Sequence, residues 1–439
     1  MKKDIVKPSI LPGFMELLPA EQIQFNKLAD TIRDTYESFG FMPIDTPIIE
    51  KSEILLAKGG GDTEKQIYRF TKGSNDLSLR FDLTVPLARY VAQNYSSLSF
   101  PFRRYQIGKV YRGERNQKGR FREFYQCDID IVGNNNLSIF SDAEIPSIIY
   151  SIFNNLGFKD FTIKVNNRKL LNGFFESLEI QDKAEVLRIV DKIDKIGKAN
   201  AIEELLSSGL NNEVVEQILE FINLSGSNQE ILLVLKNLNI SNTNFLEGLE
   251  ELSIVSKYVE LFGVPHENFK IDLKISRGLD YYTGTVYETF LNEYTSIGSV
   301  CSGGRYDNLA EYYTKQKLPG VGISIGLTRL FYQLNEAGFF KNNNITSITK
   351  AIVIPLDTSN IDYGIFIANA LRAKGVITEI YLEDAKLVKK LSYTNKLGIP
   401  FAILVGDAET ENKTATIKKM ITGEQVTADF NEVYEIVNT

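Results

Sequence analysis

The densest chemistry in the chain runs from Arg103 to Gln126: Arg103-Arg104-Tyr105-Gln106-Ile107-Gly108-Lys109-Val110-Tyr111-Arg112-Gly113-Glu114-Arg115-Asn116-Gln117-Lys118-Gly119-Arg120-Phe121-Arg122-Glu123-Phe124-Tyr125-Gln126. Glu114 is its only acid before Glu123, in a protein whose net charge is -7. Guanidinium forks match phosphate oxygens two at a time, and Phe or Tyr rings offer a face on which a base stacks. The pattern suits a nucleotide-phosphate site with a glycine-flanked turn, and a solvated basic hairpin is its plain alternative. Arg112 beside Tyr111 points to an inward face. A second cluster, Ser276-Arg277-Gly278-Leu279-Asp280-Tyr281-Tyr282, sets one cation and two phenol hydroxyls close together, though the paired tyrosines taken alone read more readily as core packing. A third, Leu79-Arg80-Phe81-Asp82-Leu83-Thr84, puts Asp82 and Thr84 on one face if the segment is a strand, an acceptor pair able to hold an ammonium group.

Other chemistries are excluded by what the chain lacks. Its single histidine, His266, follows Pro265 in an expected loop, so neither a Ser-His-Asp site nor an HExxH zinc site is available. Cys127 and Cys301 stand far apart with no CxxC partner, against a disulfide framework or a thiolate zinc site. The glycines of Cys301-Ser302-Gly303-Gly304-Arg305-Tyr306-Asp307 and Gly320-Val321-Gly322-Ile323-Ser324-Ile325-Gly326 miss the GxGxxG spacing, and no GxxxxGK[ST] loop occurs. The negative balance means that any nucleic acid must meet a local basic patch.

The elements that position these groups follow from periodicity. Phe25, Leu28, Ile32 and Phe39 recur at helical spacing over Ala20–Phe39, with Gly40 as the stop. Phe41 to Ile49 reads as a strand, but Pro43 and Pro47 confine it to a sheet edge, which invites a partner. Strand-like pieces at 78–83, 105–111 and 124–131 form a sheet with a working face. Residues 180–262 carry helix periods broken by Gly and Asn pairs and read as a helical insertion. Strand signals return over 269–290, glycine-rich turns follow, and then a helix over 326–338. After the Lys341-Asn342-Asn343-Asn344 linker, apolar runs at 351–356, 376–382 and 401–405 alternate with helix-length segments as a βαβαβ unit. Its helix Asp384–Leu397 sets Lys386, Lys389, Lys390 and Tyr393 at helical spacing, a face suited to an RNA loop, with an ordinary solvated helix face as the alternative. A chain of 439 residues, 43% of them hydrophobic, has room for roughly three domains at about 150 residues each. No apolar run is long enough for a membrane helix, and the start Met1-Lys2-Lys3-Asp4 shows no targeting pattern, so the cytoplasm is expected.

Together these segments resemble the histidyl-tRNA synthetases, class II aminoacyl-tRNA synthetases, over nearly the whole chain. Phe41 to Glu50 resembles motif 1, Arg103 to Gly133 motif 2 and Gly320 to Leu330 motif 3; Arg277 to Tyr282 and Gly303 to Asp307 resemble the two histidine-specific signatures. The resemblance implies an α+β fold: an antiparallel-sheet catalytic domain (1–179 and 263–340) with a helical insertion (180–262), a linker (341–347) and a C-terminal α/β anticodon-binding domain with a mixed sheet (348–439). It implies a histidine–tRNA ligase of the EC 6.1.1 class, making histidyl-adenylate from ATP, with Mg²⁺, and passing histidine to its tRNA. Arg277 would be the catalytic cation. Asp82 and Thr84, with Gln126 beside them, would take the histidine ammonium. Asp130 and Tyr282 would reach the imidazole, and Tyr281 would line the pocket. Arg112 would clamp the α-phosphate and the histidine carboxylate, Glu114 and Phe124 would hold adenine, and Arg120 and Arg329 the outer phosphates. Arg115, Gln117, Lys386, Lys389 and Lys390 are tRNA candidates, and no side chain is assigned to a metal. Motif 1 implies a homodimer. Asn116 stands where a proline often follows the motif 2 arginine, and Thr328 where an acid usually precedes the motif 3 arginine. A histidine-sensing regulatory paralogue would lack the last domain and erode motif 2, and a kinase-linked tRNA sensor would need a kinase segment; this chain keeps the first two features and has no room for the third.

Overall fold

A computed structural model of the chain describes residues 5–57, 62–114, 119–276, 282–341 and 346–438. It divides into two compact units, Met1–Met15 with Leu28–Gly338, and Glu16–Lys27 with Phe339–Thr439. The expected first helix runs Pro19–Ser38 and ends at Gly40, whose φ of 75° supplies the left-handed stop. Its Ile32 and Tyr36 are fully buried, and the Tyr36 hydroxyl donates to the Cys127 carbonyl at 2.9 Å.

The first unit is organised on an eight-stranded sheet. In chain order the strands of this unit are β1 (Met42–Pro43), β2 (Ile49–Lys51), β3 (Arg69–Lys72), β4 (Asn75–Leu79), β5 (Phe102–Tyr111), β6 (Glu123–Val132), β7 (Phe161–Asn167), β8 (Phe269–Ile271), β9 (Thr285–Leu291), β10 (Ser299–Tyr306) and β11 (Gly320–Gly326). The large sheet has the order β1-β5-β6-β11-β10-β9-β7-β8, and β2-β4-β3 form a separate small sheet. Six central strands are antiparallel, while β1 and β8 join the two edges in parallel. The β5–β6 pair is in register from Phe102↔Val132 to Tyr111↔Glu123. In β6 the period of two puts Cys127, Ile129 and Ile131, all buried, on one face and Gln126, Asp128 and Asp130 on the other.

Three expectations need correction. The proline-bearing segment at 41–49 is not one strand: only Met42–Pro43 pairs at the sheet edge, and Asp45 and Thr46 instead receive hydrogen bonds from Arg80 and Gln106. The strand read over 78–83 stops at Leu79, in the small sheet. The glycine-rich segments read as turns are β10 and β11, central strands of the large sheet. Glycine carries no strand signal of its own, and here it is needed because neighbouring backbone and side chains lie directly over it. A Cβ at Gly322 would sit 2.2 Å from the Ile129 carbonyl oxygen and 2.3 Å from Asp130 Oδ1.

Between Lys183 and Leu261 the chain is helical, as expected. Helices there start on local acceptors: Asp182 receives the Glu185 N–H, Asn211 that of Val214, Asn242 that of Phe245, and Ser227 forms a capping box with Glu230.

In the second unit, β12 (Ala351–Pro355), β13 (Thr378–Ile380), β14 (Phe401–Val405), β15 (Thr414–Lys419) and β16 (Gln425–Asp429) form a sheet of order β13-β12-β14-β15-β16. The β13-β12-β14 part is parallel, and β15 and β16 are antiparallel, giving the mixed sheet. Both faces are covered: Val353, Ile403 and Ile417 pack with Ile367, Leu371 and Val433, and Ile352, Ile354 and Leu404 pack with Leu391 and Leu397. Among the described residues no helix is long and apolar enough to cross a membrane.

Candidate active site

The polar face of β6 opens into a cleft of about 340 Å³, within the range of small-molecule sites. Asp82, Thr84, Arg112, Glu114, Arg120, Phe124, Gln126, Asp130, Tyr282 and Arg329 all line it. Segments distant in sequence thus converge as the sequence reading expects. Arg277 and Tyr281, and the tRNA candidates Arg115 and Gln117 with Asn116, lie outside the described residues.

One local geometry differs from the expectation. Asp82 and Thr84 are not on a strand; Thr84 opens the helix Thr84–Gln93, and Asp82 Oδ1 accepts the Val85 N–H at 3.0 Å. A helix start is what this sequence favours. The aspartate supplies an acceptor for a free N–H, and Pro86 sits in the first turn, where its missing N–H costs nothing. The other oxygen of Asp82 is buried in the cleft wall without a partner.

The arginine end of the cleft is held largely by backbone. Arg112 donates from Nε to the Phe81 carbonyl at 2.9 Å, and its guanidinium lies 5.2 Å from the centre of the Phe124 ring. Arg120 meets Glu114 at 3.3 Å. Arg329, on the helix Leu327–Glu336, donates from Nη2 to the Ile297 carbonyl at 2.8 Å. Thr328 is buried, and its Oγ1 accepts the Tyr125 N–H at 2.8 Å, so the residue that departs from the usual acid ties this helix to β6. Beneath the hairpin, the buried Arg80 donates to the Lys109 carbonyl at 2.8 Å. Gly108 makes room for it, since a Cβ there would stand 2.5 Å from Nη2.

The deep end is a cluster of buried charge. Arg104, with no exposed surface, stands opposite Asp130 in the β5–β6 register and forms an ion pair with it. Tyr306, at the end of β10, donates its hydroxyl to Asp130 Oδ1 at 2.8 Å. Burial pushes the Asp130 carboxyl up to about 6 against the pull of Arg104 and the Tyr306 hydroxyl. Burial likewise pushes Asp82 up to about 6, opposed by the Val85 N–H and by Arg112 and Arg104. Asp128 goes furthest, to about 7, where burial outweighs Arg104 and the Ser324 hydroxyl. Gln126 Nε2 donates to Ser324 Oγ at 2.7 Å, and both line the cleft.

Arg104, Asp128, Ser324 and Tyr306 are the residues the sequence reading left without a role. The signal was available for one of them. Asp128 alternates with Gln126 and Asp130, so a strand there must put all three on one face.

In the second unit the helix begins at Leu387, and Lys386 and Lys389 are exposed. Lys390 is a correction: it is buried, donates from Nζ to the Pro355 carbonyl at 2.7 Å, and lies 5.7 Å from the centre of the Tyr381 ring, so it offers no cation to an RNA. Four residues before the buried Thr394, it shares that helix face, with the half-buried Leu397 one turn further on.

Comparison with known proteins agrees with this architecture. A family model described as histidyl-tRNA synthetase matches residues 13–330, and one described as an anticodon binding domain matches residues 350–439. The chain is 62% identical over 437 residues to a histidine–tRNA ligase of Clostridium tetani, covering 100% of this chain and 99% of that one. It is 51% identical over 428 residues to a histidine–tRNA ligase of Clostridium acetobutylicum, covering 98% and 99%. The crystal structure of histidyl-tRNA synthetase from Nostoc sp. PCC 7120 superimposes with a TM-score of 0.91 at 39% identity, over 99% of both chains. With its α+β fold, its cleft and these full-length relatives, the chain belongs to the histidyl-tRNA synthetase family of ligases.

Proposed function

We propose that the chain activates L-histidine with ATP and transfers it to the 3′ end of its tRNA. The observation that carries this reading is the single cleft in which a phosphate-type arginine end, Arg112 with Arg120 and Arg329, faces a carboxylate end, Asp82 with Asp130. In the first step an oxygen of the histidine carboxylate attacks the α-phosphorus of ATP in line, and pyrophosphate leaves. In the second, the terminal ribose hydroxyl of tRNA attacks the adenylate carbonyl and AMP leaves. Arg112, already fixed on the Phe81 carbonyl, is placed to hold the α-phosphate and the carboxylate together, which favours the in-line geometry. Phe124 and Glu114 take adenine, and Arg120 and Arg329 take the outer phosphates, where Mg²⁺ arrives as part of the ATP complex. Arg277 is assigned to stabilise charge on the α-phosphate in the transition state.

For histidine, Asp82, Thr84 and Gln126 receive the ammonium. Asp130 and Tyr282 receive the imidazole, with Tyr281 against it. The Arg104 and Tyr306 contacts fix the Asp130 carboxylate, so it meets the ring without reorganising. The division into residues 1–179 and 263–340 for catalysis, 180–262 as the insertion, 341–347 as the linker and 348–439 for the anticodon is part of the same reading. So are Arg115, Gln117, Lys386 and Lys389 as tRNA contacts, and the cytoplasm as the place of work. A homodimer is supported by β1 at the sheet edge, where Met42 is exposed. A regulatory paralogue without charging activity is disfavoured by the intact motif 2 arginines and the C-terminal unit.

The test is ATP–pyrophosphate exchange with each standard amino acid. Histidine alone should support it, because a buried site built for imidazole hydrogen bonds rejects analogues lacking them by about 10⁴ to 10⁵. Comparable exchange with another amino acid would overturn the reading.

A further inference from the structure

Three acceptor oxygens in the cleft wall are buried and without a hydrogen-bond partner: Asp82 Oδ2, Gln126 Oε1 and Asp128 Oδ1. Unpartnered buried acceptors are costly, and three on one cleft point to a ligand that brings donors. An ammonium group brings three N–H bonds and one positive charge. The carboxylates of Asp82, Asp128 and Asp130 all feel the one guanidinium of Arg104, and only Asp82 also feels Arg112, so a donor that is itself cationic suits Asp128. Asp130 is already engaged by Arg104 and the Tyr306 hydroxyl. Asp128 is not so engaged at Oδ1, and β6 presents it on the same face as Gln126, two residues along the strand. Its register partners are Gln106 on β5 and Ser324 on β11, the latter also receiving Gln126 Nε2, which leaves Gln126 Oε1 unpartnered.

We infer that Asp128 is a third receptor for the substrate ammonium, acting with Asp82 and Gln126 to recognise an α-amino acid rather than an imidazole compound in general. The inference rests on the reading of the cleft as a histidine site and adds to it a residue that the family motifs did not assign. Asp128 binds substrate and takes no part in the bond-breaking step.

The test uses the full-length chain and its Asp128→Asn and Asp128→Ala variants in ATP–pyrophosphate exchange, with two inhibitors: histidinol, which keeps the ammonium, and imidazole propionate, which lacks it. Losing a charge-assisted hydrogen bond to the substrate should raise the histidine KM by about 10- to 100-fold, more for Ala than for Asn, with the KM for ATP nearly unchanged. Histidinol inhibition should weaken in parallel while imidazole propionate inhibition stays as in the parent. A histidine KM unchanged in both variants, or equal weakening of both inhibitors, overturns the assignment. If the parent chain shows no histidine-dependent exchange, the underlying function fails as well; if the parent exchanges normally and the variants match it, only the Asp128 assignment falls.

Discussion

The cleft of the first unit and the interior of the second handle buried polarity in opposite ways. Around β6, Arg104, Asp82, Asp128 and Asp130 are all nearly inaccessible, and several of their atoms lack partners. Around β12 the core clusters on both faces of the sheet are apolar, and the buried cation Lys390 is satisfied by a carbonyl. Stability and recognition are therefore held by different residues. The second unit gains from burial of Ile and Val, whereas the cleft keeps charges that cost folding energy and become useful when a substrate completes them.

The largest expected effect sharpens this comparison from the side of catalysis. If Arg112 holds the α-phosphate as proposed, Arg112→Ala should lower the rate of histidine-dependent exchange by about 10² to 10³, since it removes a fork aimed at charge that develops there. Thermal unfolding should change far less than activity, because Arg112 is half-buried and solvent can replace its bond to the Phe81 carbonyl. A loss confined to KM for ATP would assign it to ground-state binding only.

The next prediction concerns pH. Asp128 holds its proton to about 7 in the folded chain, above the ordinary carboxylate range of about 4 in the unfolded chain. The folded state thus binds the proton more tightly, its stability falls as pH rises from about 4 through 7, and the penalty is complete above that. Asp128→Asn should raise the unfolding midpoint of the ligand-free protein at pH 8, and the gain should shrink toward pH 5. A variant that is destabilised at pH 8 would show that the carboxylate supports the fold.

The smaller effects belong to the second unit. Lys390→Ala leaves the Pro355 carbonyl unpaired and should cost about 1–3 kcal/mol of stability in that unit, read by denaturant unfolding, with exchange unaffected. Replacing the exposed Lys386 and Lys389 by Gln should leave unfolding unchanged, weaken tRNA binding several-fold and reduce its salt slope by about 2 if both meet phosphates. The reverse pattern would break the contrast drawn between the two units.

How much was legible from the residues depends on what each signal measures. Strand-like runs carrying polar groups on a working face locate β5 and β6 within a few residues, and apolar runs locate β12 and β14, because both patterns record what each strand packs against. The strands at Ser299–Tyr306 and Gly320–Gly326 were missed since their defining property is space, and glycine shows that only once the neighbouring strand is in place. Asp82 was assigned to the right cleft on the wrong element: side-chain chemistry does not distinguish a strand face from a helix start two residues away. Lys390 was misread because helical spacing gives neighbours but not the direction of solvent, and a lysine can bury its stem and end on a carbonyl.

The absence of a side chain at Gly322 also bears on how the pocket can change. At Gly322 itself β11 gives the cleft nothing but main chain, so there are no atoms to trim there and any addition collides with Ile129 or Asp130. Redesign toward a bulkier substrate must work on the walls, at Tyr282 or Thr84, where side chains can be shortened. Drift at the floor runs in one direction only, toward closure, and a lineage that altered its amino-acid specificity would keep that glycine while its walls diverged.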